Sequence, residues 1–148
     1  MNVLLIDIRF LTDRTSEGLG KVVIVKRTGG TRGLGLFAKV DIEAHRYVCE
    51  YWGPPGMRDD GMIHSMQTSD GRVINPTGSS CVAAYINHQC KMASCRFEEL
   101  GRNGEREVWI KTLRDIKRGE ELTLHYNIKK GHLRKALGCP CECLICSK

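Results

Sequence analysis

A mainly β fold is predicted for this chain from two observations. Short strand-like runs carrying Val, Ile and Leu recur along its 148 residues, and turn residues separate them. Sixteen glycines, many beside those runs, supply the turns. Taken in order, Lys21 to Lys26, carrying Val22, Val23, Ile24 and Val25, reads as a buried strand. Arg27 to Gly35 reads as a loop, Leu36-Phe37-Ala38 as the start of a second strand, and Tyr47 to Tyr51 as a third. Gly53-Pro54-Pro55-Gly56 stops that strand. Residues Met57 to Ser69 fit either a helical turn or a loop, and Arg72-Val73-Ile74 a short strand. The apolar run Cys81 to His88 fits either strand or helix. Glu107 to Lys111 alternates as a half-buried strand does. Glu121 to Tyr126 is another strand, led in by the turn Lys117-Arg118-Gly119. His132 to Leu137 reads as one helical turn ending at Gly138. There is no internal repeat, low-complexity tract or long linker.

The length suits one domain. With 41% hydrophobic but only 6% aromatic residues, the core must rest on Val, Ile and Leu. No apolar run approaches the roughly 20 residues a bilayer-spanning helix needs. The opening Val3-Leu4-Leu5-Ile6 is broken by Asp7 and Arg9 and lacks the layout of a signal peptide, so an intracellular chain is expected. The net charge of +6 permits a polyanion nearby, although a solvated basic surface explains it equally well. The densest basic stretches are Lys111 to Arg118 and Lys129 to Lys135.

Four of the eight cysteines fall in the last ten residues: Cys139, Cys141, Cys143 and Cys146. Without a signal peptide, metal binding explains them better than disulfides. Cys139, Cys141 and Cys146, spaced C-x-C-x4-C, can face one ion, and zinc favours tetrahedral sulfur ligation. Three thiolates do not close such a site.

Three further motifs stand in series. Gly33-Leu34-Gly35 alone is a plain turn, and no helix start of the dinucleotide-binding kind follows it. Tyr85-Ile86-Asn87-His88-Gln89-Cys90 sets an Asn-His pair in an apolar run. Gly119-Glu120-Glu121-Leu122-Thr123-Leu124-His125-Tyr126-Asn127 ends a strand-like run on a tyrosine.

In this order the motifs resemble the SET-domain lysine methyltransferases. The last is the sharpest, with seven of nine positions identical to the family's G-E-E-L-T-F-D-Y-N. Asn75 to Cys90 resembles the family block D-A-T-x-x-G-N-x-A-R-F-I-N-H-S-C. There Ile86, Asn87, His88 and Cys90 match, while Asn75, Ser80, Cys81, Ala84, Tyr85 and Gln89 depart. Glu50-Tyr51-Trp52-Gly53 resembles the family's E-Y-x-G. The resemblance covers about residues 21 to 146, with no cysteine-rich module before it and a short insert between Gly53 and Asn75.

The resemblance implies a SET-domain fold of short strands with a threaded, pseudoknot-like C-terminal segment and a zinc-bound tail. It implies a lead-in at 1–20, the domain at 21–128 and the tail at 129–148. Its cofactors would be S-adenosylmethionine and zinc. Gly33, Leu34, Gly35, Asn87 and His88 would border S-adenosylmethionine, with glycine allowing close backbone approach. Tyr126 would be the catalytic tyrosine, Tyr51 would line the lysine channel, and Leu124 would influence how many methyl groups are added. Cys90 would complete the zinc site of Cys139, Cys141 and Cys146, with Cys143 as a rival ligand and Cys95 as a substitute for Cys90. The implied reaction is methyl transfer to a protein lysine, with a histone tail the first substrate, nucleosomal DNA nearby and a nuclear location. Two alternatives stand beside it. One is a catalytically impaired SET-like module that binds a peptide or protein partner. The other is a small zinc-knuckle nucleic-acid binder, whose binding would depend strongly on salt.

Overall fold

A computed structural model describes residues 22–30, 33–54, 65–89, 91–102 and 104–125. Among these residues, nine strands run in the order β1 (Val23–Arg27), β2 (Leu34–Ala38), β3 (Tyr47–Tyr51), β4 (Met66–Gln67), β5 (Val73–Ile74), β6 (Asn87–His88), β7 (Cys95–Arg102), β8 (Glu105–Thr112) and β9 (Glu121–Leu124). One 3-10 turn, Val82–Tyr85, precedes β6. The mainly β reading therefore holds. The main sheet has the order β1-β2-β9-β7-β8-β3, with β6 also paired to β9, and β4 and β5 form a separate hairpin.

Strand β9 organises the sheet. It pairs antiparallel with β2, bringing Leu36 opposite Leu122 and Phe37 opposite Glu121. It pairs parallel with β6, placing Asn87 opposite Thr123 and His88 opposite Leu124. Cys95 of β7 also faces Leu124, in parallel. A strand has two edges, so β6 and β7 hold Leu124 from opposite sides. Both Leu122 and Leu124 are fully buried among Leu36, Val48, Cys49, Ile110 and Ile116.

Several elements differ from the sequence reading. β1 is not buried throughout: Val23 is buried, but Ile24 is 41% exposed. Among the described residues β1 pairs only with β2, so it is an edge with one covered face. The expected loop is also shorter, because β1 runs to Arg27 and β2 starts at Leu34. β8 departs in the other direction: Val108, Trp109 and Ile110 are all buried, so no half-buried alternation survives. β8 pairs on both edges, with β7 and β3, and because successive side chains point to opposite faces, three consecutive buried residues mean both faces are covered there. Trp109 sits edge-on to Tyr47, and its indole N–H donates to Glu107 Oε2 at 3.0 Å. The run Cys81 to His88 divides into the 3-10 turn and β6. Met66–Gln67 is a strand rather than a helical turn, while residues 55–64 lie outside the described residues. The helical turn expected at 132–137 lies outside them too.

Strand β7, absent from the sequence reading, pairs with β8 along its whole length, from Cys95–Thr112 to Arg102–Glu105. Charge and hydrogen bonding stabilise its outer face. Tyr47 Oη donates to Glu98 Oε1 at 2.5 Å, and Arg96 and Lys111 reach Glu98 Oε2 at 2.7 and 3.3 Å. These contacts, the tyrosine hydrogen bond foremost, lower the Glu98 carboxyl to about 2. A depressed carboxyl contributes stability above its ordinary value near 4.5, and that contribution is lost as pH falls toward about 2. Glu98→Gln is therefore expected to cost about 1–2 kcal/mol at neutral pH. In thermal melts at stepped pH, the gap between parent and variant should narrow between pH 4.5 and 2.

Candidate functional site

The site grows out of β9 and its two neighbours on one edge. Asn87 Nδ2 donates to Leu34 O at 3.0 Å and to Glu121 Oε1 at 2.8 Å. One amide thus ties the Gly33-Leu34-Gly35 segment, the Asn-His pair and β9 together. Gly35 leaves room for this. A Cβ there would lie 2.6 Å from Glu121 Oε1, 2.9 Å from Thr28 Cγ2 and 3.1 Å from Asn87 Nδ2. Gly33 has a φ of +75°, a conformation glycine adopts without a steric cost. Leu34, whose carbonyl Asn87 bonds, and Tyr85, two residues before Asn87, are both 43% exposed.

His88 is buried and its ring meets His125 edge-on, with centroids 5.0 Å apart. Burial first, and then the neighbouring His125, lower its imidazole to about 4, so it is neutral at physiological pH. Beyond it, Gln89 N donates to Leu124 O at 3.0 Å, and Thr123 Oγ1 donates to Gln89 Oε1 at 2.8 Å. The chain is thereby held against the end of β9 immediately before Cys90. Leu124 is fully buried.

On β3, Tyr51 is 5% exposed and packs edge-on against Phe97 at 5.2 Å. The backbone on both sides of it is clamped by Cys81. That thiol donates to Glu50 O at 3.6 Å and accepts from Trp52 N at 3.5 Å. Cys81 stands where the family block has Asn, and its sulfur fills both a donor and an acceptor role at that position. Gly53 then passes so close to Asn75 that a Cβ would lie 2.2 Å from Asn75 O. The Asn75 side chain caps the following turn, accepting from Thr77 N at 3.0 Å.

The expected zinc ligands Cys90, Cys139, Cys141 and Cys146, the rival Cys143 and the expected catalytic Tyr126 lie outside the described residues. Among the described residues no group of His, Cys, Asp and Glu has the arrangement of a metal site. Cys95, the substitute ligand, is buried in β7, and burial pushes its thiol up to about 12. Gly33, Leu34, Gly35, Asn87 and His88 are brought to one edge of β9, while Tyr51 sits on β3. The sequence reading missed two neighbours of the site, Glu121 and His125. Glu121 lies inside the quoted G-E-E-L-T motif, and His125 is a departure from it beside Tyr126.

A mainly β domain whose Gly-x-Gly, Asn-His and G-E-E-L-T segments meet on one strand is that of the SET class. The chain matches the SET domain family model over residues 33–127, and it belongs to that family. Its relatives carry methyltransferase names. The H3 lysine-36 specific histone-lysine N-methyltransferase of Kluyveromyces lactis is 29% identical over 124 residues, covering 75% of this chain and 17% of that protein. Histone-lysine N-methyltransferase trr of Drosophila melanogaster is 30% identical over 129 residues, covering 79% and 5%. Histone-lysine N-methyltransferase 2D of Homo sapiens is 30% identical over the same length, covering 79% and 2%. The chain thus spans between 2% and 17% of the length of these relatives.

The two close-approach glycines separate in a denaturant titration. At Gly53 the obstruction is backbone, so Gly53→Ala should cost about 3 kcal/mol. At Gly35 it is chiefly side-chain atoms that can move, so Gly35→Ala should cost about 1 kcal/mol.

Proposed function

We propose that this chain transfers a methyl group from S-adenosylmethionine to a protein lysine, with a histone tail as substrate. The observation that carries the reading is the convergence of Gly33-Leu34-Gly35, Asn87-His88 and Glu121–Leu124 on one sheet edge. The names of the relatives support a histone substrate. A histone substrate implies a nuclear location beside nucleosomal DNA, and the net charge of +6 is compatible with that.

The residues present fit the cofactor. At Gly33, among the described residues, nothing lies within 4 Å of where a Cβ would stand, so open space adjoins the Gly-x-Gly backbone. Neutral His88 adds no positive charge against a cationic ligand. S-adenosylmethionine supplies a methyl group already activated on a sulfonium sulfur. The chain's own residues then have two tasks. The first is to favour the neutral lysine amine over the ammonium, whose ordinary pKa is near 10.4. An apolar channel does this by desolvation, and Tyr51, packed on Phe97, supplies such a wall. The second is orientation, assigned to the Tyr126 hydroxyl, since most of the rate gain comes from positioning. Leu124, the product-specificity position, has no hydroxyl to hold a water beside the amine.

The donor set Cys90, Cys139, Cys141 and Cys146 suits one zinc ion. Gln89, fixed on Leu124 O, holds the chain next to Cys90. Zinc there would join residues 129–148, the proposed tail, to the domain at 21–128 and supply ordering energy for a segment poor in apolar residues.

Incubation of zinc-loaded protein with S-adenosylmethionine and mixed histones should yield lysine mass shifts of one or more methyl groups. Tyr126→Phe should reduce them about 100-fold or more. Equal activity in the variant would remove Tyr126 from the reaction. No methylation by a parent that also binds no S-adenosylmethionine would favour the peptide-binding module. Elemental analysis should find one zinc per chain. Its removal by a strong chelator, or Cys139→Ser, should lower both the melting temperature and the methylation rate.

A further inference from the structure

We infer that Glu121 is a positioning residue of the cofactor site: its carboxylate fixes the orientation of the Asn87 amide so that the amide oxygen is presented to the ligand. The inference rests on the reading above, that this edge of β9 binds S-adenosylmethionine.

A primary amide has an NH2 face and a carbonyl face, and either can occupy a given place in a fold. Here the chemistry of the neighbours decides. Leu34 O at 3.0 Å and Glu121 Oε1 at 2.8 Å both lie on one side of the Asn87 amide, and both only accept. The NH2 group must face them, because turning the amide would set its carbonyl oxygen against a backbone carbonyl and a carboxylate. Leu34 O alone offers one neutral hydrogen bond. The carboxylate adds a charge-assisted one, roughly twice as strong, and so decides the preference. The amide oxygen is then turned away from both. Among the described residues no donor reaches it. It is available to accept a hydrogen bond from a donor group on the ligand.

Two backbone features hold the carboxylate in place. Glu121 sits opposite Phe37 in the β2–β9 ladder, so its position follows from strand register. Gly35, without a Cβ, leaves the space that Glu121 Oε1 occupies, since an added Cβ would come within 2.6 Å of that oxygen. The second glycine of the Gly-x-Gly segment therefore serves the carboxylate.

The test compares Glu121→Ala and Glu121→Gln with the parent, reading S-adenosylmethionine dissociation constants by calorimetry and melting temperatures in parallel. Gln keeps an oxygen that can accept from Asn87 Nδ2 without the charge. Glu121→Ala should weaken binding about tenfold, and Glu121→Gln, which keeps a neutral acceptor without the charge, should recover part of that loss. In nitrogen-edited spectra of the ligand-free protein, the Asn87 side-chain amide protons should shift and exchange faster with water in Glu121→Ala than in Glu121→Gln. The inference falls if Glu121→Ala binds as the parent does, or if Glu121→Gln is as weak as Glu121→Ala. A parent that binds no S-adenosylmethionine overturns the reading on which it rests, and that outcome is distinct from both.

Discussion

Strand β9 contributes four residues, yet backbone pairing runs along both of its edges, and the remaining architecture depends on that double occupancy. On one edge it takes β2 and then β6, and on the other β7. Its alternate residues Leu122 and Leu124 fill the core, which leaves Glu121 and Thr123 to address the polar segments beside it. Thr123 shows how closely this is satisfied. Its amide donates to Ser94 Oγ at 3.0 Å, its hydroxyl donates to Gln89 Oε1 at 2.8 Å, and its carbonyl accepts from Ser94 Oγ at 3.4 Å. A short strand so fully bonded has no freedom of register, because a one-residue slip would exchange its core leucines for its polar residues.

The same constraint assembles the site. Residues far apart in sequence are brought within hydrogen-bond distance only because β2 and β6 share one edge of β9. Tyr51 reaches the domain by another route, through β3 and β8 on the far side of the sheet. Its placement is secured by the Cys81 thiol on the flanking backbone and by the contact of Gly53 with Asn75. The short segment between Gly53 and Asn75 is tied back in turn. Glu99 accepts from Ser69 N and Ser69 Oγ at 2.9 and 2.6 Å, and Arg72 pairs with Glu105 at 3.4 Å. The β4–β5 hairpin is therefore fastened to the β7–β8 hairpin by polar contacts at the surface.

What could be read from sequence follows from where burial is one-sided or complete. β3, β8 and β9 carry dense apolar residues and were legible as strands, although the covered second face of β8 was not, since coverage depends on partners distant in sequence. β7 escaped notice because Arg96, Glu98 and Glu99 interrupt its apolar residues. Its stability comes from ladder pairing with β8 and from ion pairs across it, and neither is visible in a hydrophobic pattern. Cys81 to His88 could not be assigned to strand or helix from its pattern because it contains a 3-10 turn and a strand in succession. The motif residues of the site were legible as motifs. That Glu121 faces Asn87 was not, because it depends on the register of β9 against two strands.

The pairing of β2 with β9 carries a consequence for biosynthesis. Leu36 leaves the ribosome long before Leu122, its partner in the sheet, and Ile42 similarly precedes Ile116, to which it is bridged. Until then the β1–β2 hairpin has only its own local pairing, and an isolated hairpin is marginal in water. Sheet closure waits for β9, and loop-closure entropy over so long a separation must be overcome when that strand docks. The nascent chain thus exposes unpaired β-edges until β9 emerges. That interval, rather than the finished fold, is where this protein is most open to misassociation and to chaperone capture.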